Sequence, residues 1–357
     1  MKKRFLFSVF LVFTLLTYSS SFAGPYSPGK GGADEVGFID AGIAGFLGPA
    51  GEGVAATDTN GNYVNPIFVG WATEVVSYVP SDNTGAYGQN GIGTQFANPA
   101  LALGPVTGNN MNIVTLGDMN MAEINSWTNN LGINPPGGIT GPGILTLGFD
   151  NAIYNGEGAD FAAFENGFVS NYSTGAGSVA GQMFAELGFV DVSTNGTDFA
   201  RFPSDYLNYP NATTNGMVDN RIDLNGTGTM VSTNYLTQDV SNIYNLVGKH
   251  ANAYSASWGT PFDLDDLLND PLVLSGAVDL NEINYVRIVD IPGNGTLTDA
   301  DGNPIYDAWV TWGSGGLDFE ALGVINAVPI PGAIWLLGSG IIGLLGIRRR
   351  KSGRSGY

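Results

Sequence analysis

Ile283-Asn284-Tyr285-Val286-Arg287-Ile288-Val289-Asp290-Ile291 is the stretch that decides the fold class. Ile283, Tyr285, Val289 and Ile291 alternate with Asn284, Val286, Ile288 and Asp290, so an extended chain here puts apolar side chains on both faces. Neither face can be left in water, and the segment reads as a strand covered on much of both sides.

The same reading extends upstream and downstream. In Ile144 to Phe149, residues Leu145, Leu147 and Phe149 share one side. Met183, Ala185, Leu187 and Phe189 do so in a further long run, where Val190 and Val192 point the other way. Asn195-Gly196 predicts a tight hairpin turn, because both central residues must accept positive φ, and its partner strand carries Phe199 and Phe202. Ala321 to Ile325 reads as the last strand. Helical periodicity is scarce, confined to Met119–Asn129 and Pro261–Leu268. Short alternating runs bounded by Gly, Asn, Asp and Pro, with no tandem repeat, predict an all-β protein of sandwich type. The predicted β-sandwich domain spans 67–327, and 24–66 reads as an extended Gly/Pro-rich lead-in with one strand near Val36–Ile39.

Both ends carry sorting signals. Lys2-Lys3-Arg4, the apolar run Phe5 to Leu16 and Ser21-Phe22-Ala23 have the layout of a secretory signal peptide over 1–23; an uncleaved anchor is the alternative. At the other end Val328-Pro329-Ile330-Pro331 leads into the uncharged segment Gly332 to Ile347 and then Arg348-Arg349-Arg350-Lys351. At about 1.5 Å per residue that segment is slightly short of a full span. It can still cross by thinning the bilayer, with the basic cluster held on the cytoplasmic side. A buried C-terminal helix is the alternative, and four consecutive basic residues speak against it.

The tail 328–357, with Val328, Pro329, Pro331, Arg348, Arg349 and Arg350 as its marks, resembles the PEP-CTERM tails of bacterial surface proteins. It is the variant form in which an apolar residue stands between the two prolines. The resemblance implies processing by an exosortase-type membrane enzyme and delivery to the cell envelope, cell surface or extracellular matrix, with membrane attachment through the C-terminal helix at least until the tail is processed. It implies nothing about activity.

Composition agrees with export. The 357 residues include no Cys and 53 Gly, so disulfides contribute nothing to stability. Outside the two terminal segments only Lys30, Arg201, Arg221, Lys249 and Arg287 are basic, against 32 Asp and Glu. Such a body repels nucleic acid and attracts divalent cations.

A second resemblance covers about Ile67 to Ile325. Ala102-Leu103-Gly104, Leu145-Thr146-Leu147-Gly148-Phe149-Asp150, Gly158-Ala159-Asp160-Phe161, Phe164-Glu165-Asn166-Gly167, Glu186-Leu187-Gly188-Phe189-Val190, Gly259-Thr260-Pro261-Phe262-Asp263-Leu264 and Gly315-Gly316-Leu317-Asp318-Phe319 together look like exported bacterial surface proteins of unassigned activity. Strand order and the early Ala-Leu-Gly element are similar to galactose-binding-like jelly rolls, which implies a jelly-roll-type β-sandwich and, by itself, no function.

Candidate chemistry is carboxylate chemistry. Asp299, Asp301, Asn303 and Asp307 supply oxygen ligands from a Gly-containing loop, suited to calcium; a solvated Asx-rich turn is the plainer reading. Asp290 and Asp318 are possible late ligands. In the group Asp150, Glu157, Asp160, Glu165 and Asn166, alternation places Glu165 with Phe161 and Ala163 on one face. A covered Glu165 needs a cation, Arg201 or backbone N–H groups, and Asp160 is a possible buried acid beside it. A catalytic carboxylate pair that includes Glu165 is the functional alternative, as in glycoside hydrolysis.

Absent Cys excludes a thiol nucleophile, the single His250 has no nucleophile-elbow motif before it, and zinc lacks its usual ligands. No phosphate loop is present. Tyr206, Tyr209 and Trp258 lie in polar stretches where exposed rings would suit sugar faces, or serve as packed lids. Trp71, Trp309 and Trp312 belong to strand-like runs and read as core. The sequence therefore predicts an exported structural or adhesive surface protein, calcium-stabilised and binding exopolysaccharide; the alternative is a secreted carboxylate-dependent glycan hydrolase.

Overall fold

The computed structural model describes residues 24–47, 62–81, 92–128, 140–174, 177–212, 221–311 and 313–329. The predicted signal peptide, the segment 332–347, Pro331, Trp312 and the basic cluster at Arg348, Arg349 and Arg350 lie outside the described residues. Among the described residues no helix is long and apolar enough to cross a membrane.

The protein is all-β, with two principal sheets. Eleven strands build them: β1 (Ile43–Ala44), β2 (Gly70–Trp71), β3 (Glu74–Val79), β4 (Val114–Thr115), β5 (Ile144–Ile153), β6 (Phe161–Glu165), β7 (Gly188–Ser193), β8 (Ala200–Arg201), β9 (Trp258–Phe262), β10 (Ile283–Asp290) and β11 (Asp318–Val324). One sheet runs β1-β9-β6-β11-β2, with β4 also paired to β11; the other runs β8-β7-β10-β5-β3. The pairings are antiparallel, so neighbouring strands begin and end at opposite edges.

The two sheets share one core. Phe161, Ala163, Phe262 and Phe319 from the first sheet cluster with Leu145, Leu147, Val190, Val192, Val286 and Ile288 from the second. Phe161 stacks on Phe262 at 5.3 Å and meets Phe202 edge-on at 5.8 Å. Truncating a ring in such a site costs about 3–5 kcal/mol, since the cavity does not fully collapse. Ala162 and Phe164, on the reverse face of β6, pack with Phe46, Phe68 and Val106 in a separate cluster. The alternation read from the sequence of β6 is thus an alternation between two clusters, since all five of its residues are buried.

A second hydrophobic body sits at one end of the sheets. Met183, Ala185, Leu187 and Phe189 enter it together with Tyr206, Ile243, Leu246, Val289 and Ile305. The four share a face, as their spacing predicts, yet they do not form one strand. Met183–Phe184 pairs with Thr237–Gln238 and Phe168–Val169, and the chain then crosses into β7 of the large sheet. The break falls at Glu186.

Four further expectations need correction. Val36–Ile39 forms turns after a short 3-10 helix (Gly32–Glu35), with Val36 and Ile39 exposed. The 24–66 segment is no simple lead-in: β1 pairs with β9, and Lys249 holds Asp40 in a fully buried ion pair. Pro261–Leu268 divides into the end of β9 and a 3-10 turn, Leu264–Leu267. At Asn195-Gly196 only Gly196 has positive φ, +74°, and Asn195 Oδ1 instead accepts from the Thr197 and Asp198 N–H groups at 2.8 and 2.9 Å.

The expected helix is α1 (Met121–Thr128). Asn120 Oδ1 accepts from the Ala122 and Glu123 N–H groups, while Glu123 Oε2 accepts from the Asn120 N–H at 2.8 Å, a reciprocal cap. Ile124 and Trp127, three apart, bury against Met119 and Trp309.

Candidate functional site

Strand polarity brings acidic residues to one end of the molecule. Asp290 closes β10 opposite Gly188 at the start of β7, Glu165 closes β6 opposite Phe319, and Asp318 opens β11. Asp118 follows β4 by three residues, Glu186 precedes β7, and Asp307 lies in the second hydrophobic body. All six are buried, and no salt bridge among the described residues includes any of them.

Each is held by few donors. The Gly167 N–H donates to Glu165 Oε2 at 2.8 Å, the Leu187 N–H to Asp307 Oδ2 at 2.8 Å, and the Leu317 N–H to Asp290 Oδ1 at 2.9 Å. Thr311 bridges two acids: its N–H donates to Asp118 Oδ2 at 2.9 Å and its hydroxyl to Glu186 Oε1 at 2.8 Å. Asp118 Oδ1, Asp290 Oδ2, Asp318 Oδ1 and the neighbouring Asn166 Oδ1 are enclosed with no hydrogen-bond partner. Gly248, at φ +97°, lets the backbone pass this region, since a Cβ there would lie 2.0 Å from the Glu186 carbonyl oxygen.

Burial raises every carboxyl of the group, because removing water penalises the charged form. Asp318 adds repulsion on Glu165; Asp318, Glu165 and Asp307 add it on Glu186. Asp290 adds it on Asp118, Asp307 and Asp318. Asp290 itself is pushed up to about 7.

Above the acids opens a cleft of about 260 Å³. Glu186, Asp318, Asn166, Thr311 and Ser314 belong to it, with Asn110 and Asn234 adding amide groups. Its walls are aromatic. Phe168 stacks on Phe184 at 5.0 Å and meets Tyr254 edge-on at 5.1 Å, and Tyr235 tilts against Phe184 at 6.5 Å. Tyr254 is 72% exposed and sits at φ +52°, followed by Ser255 at +78°. Two consecutive non-glycine residues in that region store strain of order 1–3 kcal/mol each, a feature that concentrates at ligand sites.

The residues singled out from sequence fall in different places. Glu165 is buried on the Phe161 face as expected; backbone N–H supplies its partner, while Arg201 is committed to Asp191 at 2.7 Å. It does not line the cleft. Asp160 is a structural cap, accepting from the Gly156 and Leu264 N–H groups and Asn326 Nδ2 at 2.7 to 2.8 Å. His250 is core, beside Ser27 Oγ at 3.0 Å and Thr260 Oγ1 at 3.2 Å. Val328 ties back to β5, its N–H donating to the Ala152 carbonyl at 2.8 Å, and Pro329 follows it.

The proposed calcium loop is not assembled. Asp299 accepts from the Asp301 and Asn303 N–H groups, from Asn303 Nδ2 and from the Tyr206 N–H, which occupies both its oxygens in closing a turn. Asp307 points away, into the six-acid group. Among the described residues no three His, Cys, Asp or Glu side chains stand ready to hold a metal ion as they are placed.

Tyr206, Tyr209 and Trp258 are not a sugar platform. Tyr206 is fully buried, its hydroxyl donating to the Tyr306 carbonyl at 2.6 Å, Tyr209 packs on the same cluster, and Trp258 is 7% exposed. At the cleft the exposed rings are those of Tyr254 and Tyr235, with Phe168 and Phe184 behind them. A short run such as Phe168-Val169 carries no periodicity that would mark it as a wall, and of this neighbourhood the sequence singled out only Trp258, four residues after Tyr254.

No protein-family model and no curated protein matches this chain.

Proposed function

We propose that the chain is an exported surface protein, of jelly-roll type, whose aromatic cleft binds a glycan of the cell surface or extracellular matrix. Two sheets sharing one core support the jelly-roll reading, and the two terminal segments of the sequence support export and exosortase-type processing. The observation that carries the binding role is the cleft itself. Phe168, Phe184, Tyr235 and Tyr254 offer ring faces to the C–H faces of a sugar, while Asn166, Asn234 and the acids of the floor can meet hydroxyls. A structural or adhesive role follows from holding such a polymer at the surface.

A hydrolase would need Glu186 and Asp318 as its pair, since Glu165 lies away from the cleft lining. A glycan array probed with the body, residues 24–329, tests the reading. Wild type should bind a subset of oligosaccharides, release no reducing ends, and lose binding roughly tenfold or more on Tyr254→Ala, because stacking contributes about 1–3 kcal/mol per ring-sized contact. Binding unchanged in that variant, or sugar release abolished by Glu186→Gln, would replace this reading.

A further inference from the structure

The six acids at the end of the sheets pose an unresolved charge problem. The five basic side chains of the described body lie elsewhere. Arg201 and Arg287 pair with Asp191, Lys249 pairs with Asp40, and Lys30 and Arg221 are exposed. Buried charge is sustained only when paired or bound to metal. Three of the acids, each at most 3% exposed, also carry a free oxygen: Asp118 Oδ1, Asp290 Oδ2 and Asp318 Oδ1. Those unpartnered oxygens are an observation separate from the clustering.

We propose that Asp118, Asp290 and Asp318, supported by Glu165, Glu186 and Asp307, form a binding site for a hard divalent cation of the calcium class. The donors are all oxygen, which suits calcium and disfavours zinc or copper. Asn166 Oδ1 is a neutral oxygen at the same place, also without a partner. Magnesium demands near-ideal octahedral geometry and keeps its waters, a poor fit to enclosed carboxylates, whereas calcium accepts irregular shells of six to eight oxygens.

The acids do not yet converge, so ion entry draws the free oxygens together. Asp118 is anchored by Thr311 through its Oδ2 and Asp290 by the Leu317 N–H through its Oδ1, so each can turn about its held oxygen and swing the free one toward an ion. Asp290 belongs to one sheet and Asp318 to the other, so the ion crosslinks the two sheets and fixes the cleft floor that Asp318 and Glu186 share. The site is distinct from the Asp299 loop, and its occupancy does not depend on whether the cleft binds a glycan.

Terbium is the probe, with calcium as competitor. Trp309 donates its indole N–H to the Met119 carbonyl at 2.8 Å, one residue from Asp118, which places a sensitiser at the site. Chelator-treated protein should show saturable sensitised emission, displaced by calcium at far lower concentration than by magnesium. Asp290→Asn and Asp318→Asn should weaken it on the order of tenfold or more, since ligand charge sets such affinities, while Asp299→Asn leaves it intact. No saturable emission, or emission lost in Asp299→Asn and retained in the other two, overturns the proposal. Crystals of wild type grown with terbium decide the matter should the variants fail to fold. An anomalous peak among Asp118, Asp290 and Asp318 supports the site, and no peak there overturns it.

Discussion

The Leu317 N–H donates to Asp290 Oδ1 at 2.9 Å, joining the residue before the first strand-β11 position of one sheet to the last residue of β10 in the other. That bond ties down residues 313–317 as a strap at the end of the molecule. Its second fastening is Thr311, whose hydroxyl donates to Glu186 Oε1 and accepts from the Gly316 N–H, each at 2.8 Å.

Replacing Thr311 by Val keeps its shape and removes those two bonds. The lost hydroxyl leaves the Glu186 oxygen and the Gly316 N–H short of a partner, and unmet buried groups cost about 1–3 kcal/mol each. Urea unfolding of Thr311→Val should show a lowered midpoint at unchanged slope, equivalent to a loss of unfolding free energy of at least about 1–3 kcal/mol.

The N-terminal segment is a working part of the body. Lys249 is fully buried with Asp40 as its ionic partner and the Ile243 carbonyl at 2.7 Å as a second acceptor. Burial lowers the pKa of the lysine, and Asp40 pulls it back up. Asp40→Ala strands an ammonium in the core, and breaking one side of a buried pair costs about 3–5 kcal/mol. Denaturant melts should register that loss, and a chain starting at Ala41 should be at least as unstable.

Asp191 is the other fixed charge, gripped by Arg201 Nε at 2.7 Å and by Arg287 Nη2 at 2.7 Å. Arg287 also lies over the Phe199 ring at 3.9 Å. Lysine cannot reproduce the planar fork or the stacking. Because Arg287 is partly exposed, Arg287→Lys should cost only about 1–2 kcal/mol in an unfolding curve.

His250 gives a pH signature. Burial first, then Lys249, pushes its pKa below the ordinary imidazole value, against the pull of Glu35 and Asp40. The unfolded chain therefore binds a proton at His250 before the folded chain does, and stability falls as pH drops below about 6.5. Burial would raise Glu35, but hydrogen bonds from His250 and the Gly31 N–H outweigh it and bring its carboxyl to about 2. The Glu35 contribution is thus present above about pH 4.5 and lost as pH falls toward 2. His250→Gln should flatten the decline between pH 7.5 and 5.5, measured by urea unfolding at each pH.

Much of the fold was legible because its signals are local. Alternation in Ile283–Ile291, in Phe161–Glu165 and across Met183–Val192 reports which face each side chain takes, and burial follows it. The break at Glu186 was not legible, since a two-residue pairing with Thr237–Gln238 depends on residues some fifty positions away. Tyr206 and Tyr209 misled for a related reason: their neighbours are polar, yet Asp205–Tyr206 pairs with Ile243–Tyr244 and is drawn into the second hydrophobic body. Asp299 resembled an ion loop because turn closure and ion binding recruit the same side chains. Glu165, Asp290, Asp307 and Asp318 stood out individually; their meeting with Asp118 and Glu186 comes from strand order alone.

On the proposed reading, the aromatic cleft is where this protein meets its ligand. The direct measurement is an NMR titration of the labelled body with an oligosaccharide selected on the array, following Phe168, Phe184, Tyr235 and Tyr254. Glycan binding in the cleft should give saturable shift changes concentrated on those four rings and on Asn166 and Asn234. Changes centred on another surface, with these residues unmoved at saturation, would contradict it.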